Sequence, residues 1–80
     1  MKDGQSLYEI KNYGRIESKL GALLEERNMT RNQLARAIGS RFEVIDRWAN
    51  RPLEKIDGDL LARMCCFLEC EVADILEYRR

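Results

Sequence analysis

Hydrophobic residues recur with the period of an α-helix through most of this chain, and each periodic segment is short. Apolar residues three and four positions apart between residues 13 and 27 predict an amphipathic first helix. A similar pattern from 60 to 68 predicts a fourth helix, and residues 72 to 78 fit a short fifth helix. Residues 1 to 12 show no clear helical period and are expected to form an arm, with a weak strand pattern at 7 to 11. The predicted core consists of Leu20, Leu23, Leu24, Leu34, Ile38, Ile45, Trp48, Leu60, Leu61, Met64, Leu68 and Ile75.

Between these segments, two further helical patterns meet at Gly39. Thr30 and Gln33 have the spacing of a capping box, in which each side chain bonds to the backbone N–H of the other residue. The second helix should therefore begin at or just after Thr30. Gly39 can adopt the positive φ that a tight helix end requires. Ser40 and Glu43 have the same capping spacing ahead of the third helix. The sequence thus predicts a compact all-α fold of five helices with short connections.

The second and third helices have the spacing of a helix-turn-helix motif. In such a motif the later helix is held out so that it can enter the major groove of DNA. On a helical wheel, the side of the third helix opposite its apolar residues collects Glu43, Arg47 and Asn50, so the exposed side is expected to be polar. Counted from Arg31, positions 4, 5, 8, 9, 15 and 18 carry the motif residues Leu34, Ala35, Ile38, Gly39, Ile45 and Trp48.

Length and composition restrict the class of protein. Eighty residues suit a single domain, and 45% hydrophobic with 35% charged residues indicates a globular chain and not a disordered one. We expect an arm over residues 1–12 and a helix-turn-helix domain over residues 13–80. Neither a membrane-length apolar run nor a signal-peptide pattern is present, which favours a cytoplasmic protein with no membrane partner.

The residue types offer little chemistry for catalysis. The chain contains no histidine, which is the commonest general base and metal ligand. It also lacks a glycine-rich phosphate loop and a serine nucleophile motif. We therefore expect no enzyme activity, no cofactor and no small-molecule substrate.

Three cysteines, Cys65, Cys66 and Cys70, form the one cluster that could suggest a metal or redox site. Cys66 and Cys70 lie four residues apart, so their sulfurs could approach each other on an unbroken helix. However, cysteines among core residues of a helix usually behave as small hydrophobic side chains, and this spacing matches no closed zinc site. The favoured interpretation is three free thiols and no metal.

Charge is unevenly distributed although the formal net charge is zero. Residues 31–51 hold five arginines against Glu43 and Asp46, an excess of three positive charges, whereas residues 52–80 hold seven acids against four bases. A basic helix-turn-helix within a neutral protein is typical of a surface that meets DNA phosphates. An excess of this size can also arise by chance on solvated helices, so it supports the motif and does not stand alone.

The chain resembles the phage Cro and lambda-repressor family of helix-turn-helix proteins, also called Xre-like. The likeness covers about residues 14 to 78. It implies a compact five-helix domain that binds double-stranded operator DNA, commonly as a two-fold homodimer, to regulate transcription. It is carried by Met29-Thr30-x-x-Gln33-Leu34-Ala35-x-x-x-Gly39, by Ile45-x-x-Trp48-x-Asn50 and by the closing pattern from Leu60 to Leu76.

The resemblance also implies roles by position along the motif. Candidates for reading base edges are Phe42, Glu43, Asp46 and Arg47. Candidates for contacting phosphate are Thr30, Arg31, Asn32, Arg41, Asn50 and Arg51.

Some of these residues depart from the usual pattern of the family. Arg31 stands where a glutamine is usual and should strengthen a phosphate contact, because its guanidinium is a planar cation. Phe42 can touch a thymine methyl group or simply flank the core. Glu43 and Asp46 can accept a hydrogen bond from cytosine N4 but repel phosphate. These acids and the zero net charge motivate an alternative function, a protein-interaction module built on the same scaffold.

Overall fold

The computed structural model describes residues 13–50 and 52–80. The prediction of an all-α fold with five helices is confirmed, and one short antiparallel pair of strands joins the two ends of the domain. The predicted arm over residues 1–12, the weak strand at 7–11 and Arg51 lie outside the described residues. The elements in chain order are β1 (Arg15–Ser18), α1 (Leu20–Glu26), α2 (Arg31–Ile38), α3 (Phe42–Asn50), α4 (Gly58–Leu68), α5 (Val72–Ile75) and β2 (Leu76–Arg79).

The buried core lies between the five helices and agrees closely with the predicted one. Leu23 and Leu61 are the exceptions, because both are half-buried and pack against the edge of the core. Ala35 is 2% exposed where α2 packs on α3, which fits the need for a small side chain between two closely crossing helices. The buried residues are Leu20, Leu24, Leu34, Ala35, Ile38, Ile45, Trp48, Leu60, Met64, Leu68 and Ile75.

The prediction of one helix over residues 13–27 is wrong in its first part, where the chain forms β1. The sheet uses the backbone of Ile16, whose carbonyl also accepts a hydrogen bond from the N–H of Leu53 at 3.2 Å. Ser18 separates strand from helix, because its Oγ accepts from the N–H of Leu20 at 3.1 Å. The apolar period therefore continues across a boundary at which the backbone changes from extended to helical.

The predicted fifth helix over residues 72–78 is likewise too long, because α5 ends at Ile75 and β2 follows at once. β2 pairs antiparallel with β1, and Ile16 lies opposite Tyr78. Gly14 allows the two chain segments to approach, since a Cβ atom there would lie 1.9 Å from the carbonyl oxygen of Arg79. Pairing with β1 satisfies backbone groups that a longer helix would otherwise have bonded internally.

The predicted capping box at the start of α2 is confirmed. Thr30 Oγ1 accepts from the N–H of Gln33 at 3.0 Å, and Gln33 Oε1 accepts from the N–H of Thr30 at 2.8 Å. The start of α3 differs from the prediction of a cap at Ser40. Here the carbonyl of Arg41 accepts from the N–H groups of Val44 and Ile45, so the helix begins at Phe42, one residue later.

Three helices end in the same left-handed turn. The turn provides hydrogen bonds to carbonyl groups in the last turn of each helix. The residue in this conformation is Asn28 after α1, Gly39 after α2 and Glu69 after α4, with φ values of 54°, 72° and 50°. Each helix thus ends within about two residues, and the next element can follow at once. The next residue donates its N–H five residues back: Met29 to Leu24 at 2.9 Å, Ser40 to Ala35 at 2.8 Å and Cys70 to Cys65 at 3.1 Å.

Glu69→Gly should raise the free energy of unfolding by about 0.5–1 kcal/mol, because glycine removes the cost of a side chain in the left-handed region. Gly39→Ala should lower it by about 1 kcal/mol for the converse reason. The effect at Gly39 is conformational and not steric, since the nearest atom to an added Cβ is Arg63 Nη1 at 4.0 Å. Urea unfolding of both variants tests this pair, and shifts in the same direction would contradict it.

No helix among the described residues is long and apolar enough to span a membrane.

Candidate nucleic-acid interface

Helix α3 is anchored on one side and open to solvent on the other. Ile45 is fully buried and Trp48 is 5% exposed, where α3 packs against α1, α2 and β1. Phe42, Glu43 and Arg47 are exposed on the rest of the helix surface. The buried residues thus fix how α3 is oriented and leave its polar side accessible, as the helical wheel predicted.

A shallow depression on the exposed side of α3 brings the candidate base readers together. It is lined by Phe42, Glu43, Asp46, Arg47 and Asn50. The first four are the predicted base-reading residues, and the last is a predicted phosphate contact. Phe42 is 45% exposed, so this residue forms part of the surface and not of the core.

The start of α2 forms a second depression directly beside the first. Thr30, Arg31 and Asn32 contribute to it, and Phe42 borders both depressions. Thr30 keeps its hydroxyl proton available because the capping box uses only the oxygen as an acceptor. Three predicted phosphate contacts therefore lie together at the start of α2, next to the exposed side of α3.

Two other predicted phosphate contacts lie at the two ends of α3. Arg41 immediately precedes the helix and Asn50 is its last residue, and both are exposed. Arg51 lies outside the described residues. Among the residues that the structure describes, Arg41 and Arg47 make no ion pair, which leaves their charges available to a ligand.

An ion pair joins two of the candidate residues to each other. Arg31 Nη1 lies 2.6 Å from Asp46 Oδ1, and Asn50 Nδ2 donates to the same oxygen at 3.1 Å. Side-chain exposure is 34% for Arg31 and 38% for Asp46, so the pair is only partly shielded from water. One carboxylate oxygen thus links the start of α2 to the end of α3.

The ion pair lies beside the contact between α1 and α3. A Cβ atom at Gly21 in α1 would lie 3.8 Å from Ala49 Cβ and 3.9 Å from Arg31 Nη2. The guanidinium therefore lies where α1 and α3 approach each other. Sequence reasoning gave Arg31 and Asp46 separate roles and missed their pairing. No local pattern predicts this pairing, because Arg31 and Asp46 lie 15 residues apart on different helices.

Two arginines outside this surface donate hydrogen bonds to the last carbonyl groups of helices. Arg63 Nη1 donates to the carbonyl of Ile38 at the end of α2 at 3.2 Å, and Arg27 Nη1 donates to the carbonyl of Leu68 at the end of α4. A cation is favourable at a helix C-terminus, where carbonyl groups carry partial negative charge. These two arginines therefore belong to the scaffold.

The cysteine arrangement differs from the one considered from sequence. Because α4 ends at Leu68, Cys70 lies beyond the helix, and its backbone N–H donates to the carbonyl of Cys65 at 3.1 Å. Burial, followed by the neighbouring Cys65 and Asp74, raises the pKa of the Cys70 thiol. A raised pKa disfavours the reactive thiolate. Within residues 13–50 and 52–80, no group of His, Cys, Asp or Glu side chains has the geometry of a metal site.

The fold and this surface define a helix-turn-helix protein whose α3 is the exposed helix of the motif. The chain belongs to the Cro/C1-type helix-turn-helix DNA-binding domain family, whose sequence profile matches residues 19–79. The resemblance stated from the sequence is thereby confirmed. No curated protein sequence matches the chain significantly.

Two solved structures share this architecture. The transcriptional regulator VanUg superposes with a TM-score of 0.71 and 24% identity, covering 94% of this chain and 96% of that chain. A Bacteroides fragilis protein described as a candidate DNA-binding protein superposes with a TM-score of 0.67 and 19% identity, covering 78% and 98%. At these identities the likeness shows the fold.

Proposed function

We propose that the protein is a sequence-specific transcriptional regulator that reads the major groove of DNA with α3. The observation that carries this proposal is the exposed polar side of α3, held out by the buried Ile45 and Trp48. Membership of a DNA-binding domain family supports it. So does the description of a protein with the same fold as a transcriptional regulator.

In this docking, base edges would meet the depression on α3. Arg47 is the strongest candidate, because a guanidinium can donate two hydrogen bonds to guanine O6 and N7. Glu43 would accept from cytosine N4, and Phe42 would contact a thymine methyl group. The start of α2 would lie against a phosphate, with Thr30 and Asn32 as hydrogen-bond donors.

We further propose that two copies bind together. A single domain with a small positive excess should bind DNA weakly, because each neutralised phosphate contributes about one released counterion. A two-fold homodimer would double these contacts. It would require an operator with two-fold symmetry and half-sites about 34–36 Å apart, one turn of the DNA helix.

In vitro selection of bound duplexes from a random library tests the function directly. We expect a short motif that recurs in inverted orientation one helical turn apart. A single unrepeated motif would contradict the dimer and leave the reading of DNA intact. Recovery of no enriched sequence, at 50 mM salt as well as at 150 mM, would contradict sequence-specific binding.

Arg47→Ala should relax the preference at one base pair of each half-site by about 1–3 kcal/mol. Arg41→Ala removes the same charge one residue before α3 and should weaken all duplexes about equally. Selection repeated with each variant separates the two outcomes. The assignment of Arg47 is wrong if its variant recovers the parental motif with unchanged base preferences.

A second candidate function is a protein-interaction module on the same scaffold. It is favoured by the acidic side chains on the exposed side of α3 and by the pairing of Arg31 with Asp46, which reduces the positive charge offered to phosphate. A gel-shift series across salt concentrations discriminates the two functions. Absence of DNA binding that persists at low salt would favour the interaction module.

A further inference from the structure

Asp46 occupies a position between two groups that could otherwise bind phosphate. Its Oδ1 atom lies 2.6 Å from Arg31 Nη1 and 3.1 Å from Asn50 Nδ2. The two donors come from the start of α2 and the end of α3, and both are predicted phosphate contacts. One carboxylate oxygen therefore accepts hydrogen bonds from two groups that are candidates for contacting DNA phosphate.

Carboxylate and phosphate oxygens compete for the same donors. A guanidinium recognises both groups with the same planar arrangement of N–H bonds. We propose that Asp46 acts as an internal competitor of DNA phosphate for Arg31, and so lowers affinity for DNA of every sequence. This inference rests on the proposed DNA-binding function. On this proposal Asp46 is a positioning residue, because it affects DNA binding through Arg31 and does not itself read a base.

The solvent exposure of the Arg31–Asp46 ion pair determines how much its removal should affect stability. Because the two side chains remain about one-third exposed, their mutual attraction is screened by water and contributes little to stability. The variant Asp46→Asn should therefore stay folded. A phosphate contact by the released Arg31 would instead be visible in binding, because each phosphate neutralised adds about 0.9 to the salt slope.

Glu43 provides a matched control for the loss of negative charge. It lies in the same helix and lines the same depression as Asp46, but makes no ion pair with any described residue. Glu43→Gln therefore reports the general electrostatic gain from removing one acid near phosphate. Any additional gain in Asp46→Asn belongs to the release of Arg31.

The experiment is a double-mutant cycle on a random-sequence duplex, measured from 50 to 200 mM salt. Asp46→Asn should raise affinity about tenfold per bound copy at 50 mM salt and steepen the salt slope by about 0.9. Glu43→Gln should raise affinity only about two- to threefold. In an Arg31→Ala background the gain from Asp46→Asn should fall to that of the control, and the gain from Glu43→Gln should persist.

Two results would overturn the inference. One is an equal gain from Asp46→Asn and Glu43→Gln, and the other is a gain at Asp46 that survives in the Arg31→Ala background. Asp46→Ala repeats the cycle with a side chain that cannot accept from Arg31, and circular dichroism confirms that each variant is folded. If parent and variants all fail to bind DNA at 50 mM salt, the proposed function itself is wrong and the inference fails with it.

Selection with Asp46→Asn provides an independent readout. A residue that competes with phosphate should not determine which bases are preferred. We therefore expect the variant to recover the parental sequence motif. A changed preference at one base pair would show that Asp46 reads a base, and would contradict its assignment as a positioning residue.

Discussion

Ile45→Ala is expected to lower the free energy of unfolding by about 2–5 kcal/mol, the usual cost of truncating a large aliphatic side chain in a closely packed core. Ile45 is fully buried where α3 packs on the rest of the domain. Natural domains are stable by only about 5–15 kcal/mol, so this single change should remove a large part of the total. Urea unfolding followed by circular dichroism measures the loss.

Val44→Ala is the control for Ile45→Ala, because it truncates the neighbouring residue of α3. Val44 is only half-buried at the edge of the core. Its truncation should cost about 1 kcal/mol or less. Equal losses at the two positions would show that Ile45 does not anchor α3, and would also remove the main support for the proposed function.

The helix-turn-helix could be predicted from sequence because its signals are local. A capping pair, a glycine and apolar residues one turn apart all act within 19 residues, from Thr30 to Trp48. Each of these signals has one physical meaning, and they agree with one another. Consistency between capping, turn and burial is what specifies a unique local structure.

The two strands could not be predicted because their pairing is not local. Ile16 lies in phase with the leucines of α1, so the apolar pattern alone extends that helix toward the N-terminus. Its strand partner Tyr78 is 62 residues away in the chain. A strand of four residues gains little by itself and forms here because tertiary contacts hold it.

The sequence predicted the directions of individual side chains in the candidate site, but it did not predict which of them contact each other. The outward direction of Arg47 follows from the helical period. By contrast, the contact between Arg31 and Asp46 depends on how α2 packs against α3. Such features are properties of the packed structure. The pairing consequently changes the role expected for both residues.

Raising the salt concentration from 50 to 200 mM should weaken DNA binding about 150- to 2,000-fold if two copies bind together. The cationic phosphate candidates in each copy are Arg31, Arg41 and Arg51, and Asp46 partly compensates the first of these. Two to three phosphates neutralised per copy make about four to six in a dimer, each contributing about 0.9 to the salt slope. Fluorescence anisotropy on a selected operator measures that slope.

The size of the loss distinguishes a dimer from a single bound domain. One copy with the same contacts should lose only about 10- to 40-fold over that range, because half as many counterions are released. Arg80→Ala removes one positive charge beyond β2 and should leave the slope unchanged, whereas Arg41→Ala should reduce it by about one unit per copy. A slope that does not respond to Arg41→Ala would contradict the docking of α3, since this residue immediately precedes the helix proposed to lie in the groove.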